Sequence, residues 1–152
     1  MADPVSIETN TRFASMRQIH AAIEHHGRQD WECALTLAAA AEGMLPETDE
    51  PHFRQKVKDF AESLPDDVAG SKNPNDVITW LKHGTYKGQK CETATIDNSE
   101  APVVIWRAIT KFFAVYDEVS PQMQSWANSM REELAVPKAA QAAASRALSG
   151  SQ

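Results

Sequence analysis

The sequence contains little cysteine and no long apolar run, and each shortage excludes a class of protein. Its 152 residues include two cysteines, Cys33 and Cys91, which is too few for a disulfide framework or a zinc site, so we expect both to be thiols in a reducing compartment. The opening residues MADPVSIETN are acidic and lack the apolar core of a signal peptide. No stretch approaches the ~18 apolar residues of a membrane span. We therefore predict a cytoplasmic protein with no membrane contact.

Positive charge is also scarce. The 21 acidic and 15 basic residues give a formal net charge of -6, so nucleic-acid binding is disfavoured unless the basic residues cluster. The 42% hydrophobic and 24% charged composition is that of a globular protein. We predict one domain over residues 11–135, a flexible segment over 1–10, and a flexible or transiently helical alanine-rich tail over 136–152.

Apolar residues recur at helical spacing along most of the chain. From Thr11 to Gly27 the pattern predicts a first helix with Asn10 or Thr11 as its cap and Gly27 as its end. Its predicted inner stripe consists of Phe13, Met16, Ile19 and Ile23.

The next segment, DWECALTLAAAAEGMLPE, predicts a helix that is buried on all sides. Between Cys33 and Leu45 its only charged residue is Glu42. Asp30 is the predicted N-cap, and Gly43 with Pro46 marks the end. We expect this helix at the centre of a bundle, with Cys33 inert inside it.

Four further elements follow. A surface helix is predicted over Pro51–Leu64, and a short helix begins near Pro74 and stops at Gly84. Residues 85–97 are interpreted as a loop with a brief extended piece. A long helix opens at Asn98 or Ser99 with inner residues Ile105, Ile109, Phe112, Tyr116 and Val119, and Ser120-Pro121 starts another with Met123, Trp126, Ala127, Met130 and Leu134. The fold class predicted is all-α, a single up-and-down bundle of about five to six helices.

Glu42 is the most informative single residue. It lies in register with Leu35, Ala38 and Leu45, so its carboxylate is expected to point with apolar groups, where a charge is costly unless it is paired. One hypothesis is a raised-pKa acid or ligand anchor. The favoured one is an intramolecular clasp that ties a later helix to this one, with a partner drawn from Lys82, His83 or Arg107.

The histidines do not predict a metal site. A metal site on helices usually repeats Glu or His at i and i+4. His20 and Glu24 show this spacing once, and no second pair appears. The sequence also lacks a nucleophile elbow and a glycine-rich phosphate loop, so we predict no metal and no cofactor.

A group of cations follows the short predicted helix. Lys82, His83, Lys87 and Lys90 fall within a stretch of nine residues in an otherwise acidic chain. They indicate either an anion-binding patch or simply the cations that a helix C-terminus favours.

The order of the elements resembles that of bacterial helical-bundle proteins of the HEPN superfamily. The resemblance covers residues 12–118 and rests on the first helix, on CALTLAAAAEGML, on NPNDVITWLKHGT and on VVIWRAITKFFAVY. It implies a four- or five-helix up-and-down bundle, often a symmetric dimer. Many members are metal-independent ribonucleases that use an Arg, four to six intervening residues and a His.

His83 would be the matching histidine, but the required arginine is missing. Positions 76 to 78 are Asp76, Val77 and Ile78, and the polar cluster around Asn75 does not replace a cation for the scissile phosphate. The resemblance thus implies the scaffold without the nuclease.

The sequence therefore predicts a small non-enzymatic binding or regulatory module that forms a homodimer or binds a protein partner. The alternative is a ribonuclease that uses His83 together with Lys82. The candidate binding residues are Glu42, Asn75, Asp76, Lys82, His83 and Lys87.

Overall fold

The computed structural model describes residues 2–46 and 74–132, which form an all-α helical bundle with one short β-hairpin. The predicted fold class is confirmed. The elements are α1 (Thr11–Gly27), α2 (Trp31–Met44), α3 (Pro74–His83), β1 (Thr85–Tyr86), β2 (Gln89–Lys90), α4 (Glu100–Tyr116) and α5, which runs from 121 to 132, where the described part ends.

Several predicted features lie outside the described residues. They are the helix over 51–64, the loop after it, Leu134 and the tail. None of the helices in residues 2–46 and 74–132 combines the length and the apolarity that crossing a bilayer takes.

Helix α1 has the predicted ends and most of its predicted inner stripe. The side-chain oxygen of Asn10 accepts a hydrogen bond from the backbone N–H of Phe13 at 2.9 Å, which confirms the cap. The fully buried residues are Ser15, Ile19 and Ala22. Phe13 is 42% exposed, so its place in the inner stripe was wrong. Ile19 is fully buried as predicted, and Met16 and Ile23 are partly buried against the core.

Helix α2 is buried on one face only. Five of its residues are buried, whereas Glu32, Cys33 and Thr36 are exposed. The expectations of burial on all sides and of a buried Cys33 are therefore wrong, because an alanine-rich helix is apolar all round without having neighbours all round. Asp30 occupies the N-cap position, but its carboxylate contacts His25 Nδ1 at 3.4 Å and makes no cap hydrogen bond. The buried set is Ala34, Leu35, Ala38, Ala39 and Ala41.

Helix α3 ends at Gly84 as predicted, and the chain turns at once into the hairpin. Gly84 has a φ of 66°, a left-handed conformation that suits glycine at a helix end. The turn between β1 and β2 places Lys87 at φ 49° and Gly88 at φ 80°, and two positive φ values are what a type I′ hairpin requires. The predicted brief extended piece is this hairpin, with Thr85 opposite Lys90.

Two side-chain hydrogen bonds shape the turn that leads into helix α4, whose N-cap residue, Ser99, makes no side-chain cap bond. The Asp97 side chain accepts a hydrogen bond from the Ser99 N–H, while a Glu100 carboxylate oxygen accepts one from the Asp97 N–H at 3.0 Å. Ile105, Ile109 and Phe112 are buried as predicted. The helix stops at Tyr116, where Asp117 turns left-handed, so Val119 packs on the core from beyond the helix end.

Helix α5 closes the bundle against α1 and α4. The Ser120 hydroxyl accepts a hydrogen bond from the Met123 N–H at 3.2 Å and so caps the helix. Trp126 packs on Trp106 of α4 at 6.3 Å and edge-on to His26 of α1 at 6.1 Å between ring centroids. The predicted inner residues Met123, Trp126, Ala127 and Met130 are all buried.

Candidate functional site

Glu42 is paired with Arg107, one of the three partners predicted for it. Arg107 of α4 donates two hydrogen bonds to Glu42 Oε1, from Nε at 3.2 Å and from Nη2 at 2.9 Å. Glu42 is 18% and Arg107 23% exposed, so water reaches the pair only in part. The clasp hypothesis is confirmed for Arg107, which ties α4 to the C-terminal turn of α2.

Two more polar groups complete this cluster, which we call the Glu42 clasp. Arg107 Nη1 donates to Asn75 Oδ1 of α3 at 3.3 Å. Lys111, a residue only 5% exposed, donates from its ammonium to the backbone carbonyl of Glu42 at 2.9 Å. A helix C-terminus attracts cations, and α2 has no basic residue in its own last turn. Arg107 and Lys111, one turn apart on α4, supply that charge.

The Glu42 clasp is suited to holding three helices together and poorly suited to chemistry. Its carboxylate already accepts two charge-assisted hydrogen bonds from the chain's own guanidinium. An external cation would have to displace Arg107 from this position. The ligand-anchor hypothesis therefore loses its main support.

A separate cleft lies beside α3. It encloses about 240 Å³ and is bounded by α3, by the hairpin and by residues 91–95. Val77, Trp80, Tyr86 and Ala94 make its wall mostly apolar, and Asp76 contributes a carboxylate. We call it the α3 cleft.

Trp80 holds the two sides of the α3 cleft together. Its indole Nε1–H donates to the carbonyl of Cys91 at 2.8 Å, and the Cys91 N–H donates to the carbonyl of Gly84 at 3.0 Å. The first bond satisfies the only polar atom of the indole, so the ring is left to form apolar wall. The second continues the pairing of the hairpin toward the end of α3.

Exposed cations lie on the elements that bound this cleft, although none is among the residues that line it. The ammonium of Lys87 lies 5.5 Å from the ring centroid of Tyr86, which lines the cleft. Lys82 and His83 are exposed at the end of α3, and Lys90 is exposed in β2. We call these four residues the basic rim.

The candidate site residues thus separate into two groups. Glu42 and Asn75 belong to the clasp, whereas Asp76 lines the cleft and Lys82, His83 and Lys87 belong to its basic rim. Arg107 does not supply the cation missing from the ribonuclease pattern. It contacts Asn75 near the start of α3, and the eight helical steps from Asn75 to His83 rise by roughly 12 Å.

One histidine outside the α3 cleft makes a structural contact between helices. His20 Nε2 is hydrogen-bonded to the Ser120 hydroxyl at 2.7 Å, which ties α1 to the cap of α5. Burial lowers the pKa of His20 from its usual value of 6.5, although the nearby Glu24 carboxylate raises it. Within residues 2–46 and 74–132 no three His, Cys, Asp or Glu side chains form a group that could hold a metal ion.

Sequence reasoning missed Lys111, Trp80 and Ala94. The signal for Lys111 was present, because Arg107 and Lys111 are the only charged residues of α4 after Glu100 and stand at i and i+4 on one face. Trp80 and Ala94 gave no comparable signal, since the cleft forms only when the hairpin folds back on α3.

Comparison with known proteins adds no relative. No family model, no curated protein and no solved structure matches this chain. Function is therefore inferred from the site itself.

Proposed function

We propose that this chain is a small cytoplasmic, non-enzymatic binding module that recognises an extended protein segment in the α3 cleft. The observation that carries this proposal is an apolar cleft next to an exposed basic rim in an otherwise acidic chain. The resemblance to HEPN bundles agrees with it, because it implies a scaffold that lacks the nuclease arginine.

The size of the cleft favours side chains over a metabolite. Pockets for small molecules enclose about 300 to 1,000 Å³. At about 240 Å³ the α3 cleft falls below that range. It suits one or two aliphatic side chains of a segment that continues across the surface.

The charge around the cleft favours an acidic segment. Within residues 74–95, which supply the whole lining of the cleft, the three lysines Lys82, Lys87 and Lys90 outnumber the two carboxylates, Asp76 and Glu92. Opposite charges across an interface mainly raise the association rate and the specificity. We therefore infer an occupant with an apolar centre and acidic flanks.

Ala94 offers a direct test because it is exposed and lines the cleft. We expect Ala94→Glu to abolish binding of a fluorescent peptide with acidic flanks around Val and Ile. The new carboxylate fills part of the cleft and repels the acidic flanks of the peptide. Ala94→Lys should weaken binding less. Ser125→Glu makes the same charge change at an exposed position of α5 outside the cleft lining and should leave binding unchanged. Fluorescence anisotropy measures all four proteins.

Three results would overturn the proposal. The first is equal binding of the acidic peptide to wild type and Ala94→Glu, and the second is no binding of it to wild type. The third is RNA cleavage by wild type that His83→Ala abolishes, which would establish the ribonuclease alternative instead.

A further inference from the structure

A segment of this chain has the properties expected of the occupant. Residues 2–10 have no regular secondary structure, and within them Val5 is 95% and Ile7 76% exposed. Side chains two apart point the same way when a chain is extended. Val5 and Ile7 can therefore enter one apolar cleft together.

The charge and stiffness of this segment fit the basic rim. Asp3 and Glu8 flank the two apolar residues, and no Lys or Arg precedes Arg12. Pro4 fixes its own φ and restricts Asp3 to extended conformations. Ordering the segment on binding consequently costs less conformational entropy than ordering a glycine-rich one.

We propose that residues 2–10 of one copy dock in the α3 cleft of a second copy, and that the exchange is reciprocal. This inference rests on the proposed function and names its partner. In the single chain the segment leaves Val5 and Ile7 uncovered, so the chain's own bundle does not bury them. A two-fold pair buries both segments in equal contacts and closes without exposing a further site.

The association is expected to be weak and sensitive to salt. Each contact buries few residues, which places the pair among small, transient interfaces with a Kd on the order of micromolar or weaker. The contacts between Asp3 or Glu8 and the basic rim lie at the surface, where about 0.5 M salt screens them strongly.

Sedimentation velocity over a concentration series tests the exchange with two variants of the full chain. Val5→Ser/Ile7→Ser removes the apolar anchors and keeps the charge, and Ala94→Glu blocks the cleft. Each should weaken self-association at least about tenfold. Ser125→Glu should leave it at the wild-type level. The substituted residues are exposed, so circular dichroism should show unchanged helix content.

Mixing the two variants separates exchange from other causes. The Ser double variant keeps an intact cleft, and Ala94→Glu keeps an intact segment. The mixture should therefore form a heterodimer through one contact, weaker than wild type but stronger than either variant alone. Failure of the mixture to associate more than its components would overturn the exchange.

Other outcomes overturn this inference alone. The proposed function is then decided by the peptide-binding test. A wild type that stays monomeric, or that dimerises equally in both variants, rejects the exchange. The double substitution Val5→Ser/Ile7→Ser could instead alter the cleft residues while wild type and variant both sediment as monomers. That result would show that the segment docks within its own chain, and it would also reject the exchange. If the acidic peptide still binds in an Ala94-dependent way, the proposed function stands, and if it does not, both fail.

Discussion

At the scale of single residues, the carboxylate of Glu42 matters because of the two cations that α4 places beside it. Glu42→Leu should lower the free energy of unfolding by roughly 1–3 kcal/mol, because it leaves the Arg107 guanidinium without its anion next to the Lys111 ammonium. Urea denaturation measures the change.

The double variant Glu42→Leu/Arg107→Leu provides the decisive comparison. Removing both members of a buried pair costs less than stranding one, so its loss should be smaller than the sum of the two single losses. If the losses of the two single variants add up to that of the double variant, the interaction between Glu42 and Arg107 contributes nothing to stability. Glu118→Leu is the control, since Glu118 pairs with Arg12 at the surface and should change stability by about 0.5 kcal/mol or less.

At the scale of elements, the hairpin after α3 depends on the backbone at Gly88. A side chain there meets no atom within 4 Å, so the only cost of Gly88→Ala is its φ of 80°. We expect a loss of about 1–2 kcal/mol in hairpin stability and faster hydrogen exchange of the Cys91 amide, which donates to Gly84.

Gly27→Ala is the matched control for this prediction. A Cβ added at Gly27 would also meet no atom within 4 Å, and Gly27 closes α1 without a positive φ. Alanine there should be neutral or stabilising by up to about 1 kcal/mol and should leave the Cys91 amide unchanged. Equal exchange rates in the two variants would show that the left-handed turn does not limit the hairpin.

At the scale of the whole molecule, the burial of His20, which joins α1 to the cap of α5, makes stability depend on pH. Burial lowers the pKa of His20 below its usual 6.5, so between these two values the unfolded chain binds more protons than the folded one. The contribution of His20 to the free energy of unfolding is fully present above pH 6.5 and is lost as the pH falls through the folded-state pKa. Acid should therefore weaken the bundle through this residue.

Urea unfolding between about pH 5 and about pH 8 tests this expectation. Wild type should lose more stability on acidification than His20→Asn. Ser120→Ala keeps the imidazole and removes the cap of α5, so it should cost about 1 kcal/mol at every pH and retain the acid-dependent loss. Parallel curves for wild type and His20→Asn would remove His20 as the cause.

The sequence by itself determined the described helices and most of their ends. Asn10, Gly27 and Gly84 act through local backbone hydrogen bonds and allowed φ values, which depend on neighbours in the chain. The register that pointed Glu42 inward is likewise a property of one helix. Such features can be predicted because their physics is local.

Only the tertiary structure decided which helix faces are covered and where the α3 cleft lies. Phe13 and Cys33 have the same local patterns as buried residues, yet both are exposed, because coverage depends on which helix packs alongside. From the sequence, Arg107 was one of three candidate partners for Glu42, and the packing of α4 against α2 decides among them. The cleft arises where residues 91–95 meet α3, and this contact depends on how the hairpin folds back on the helix rather than on the periodicity of either segment.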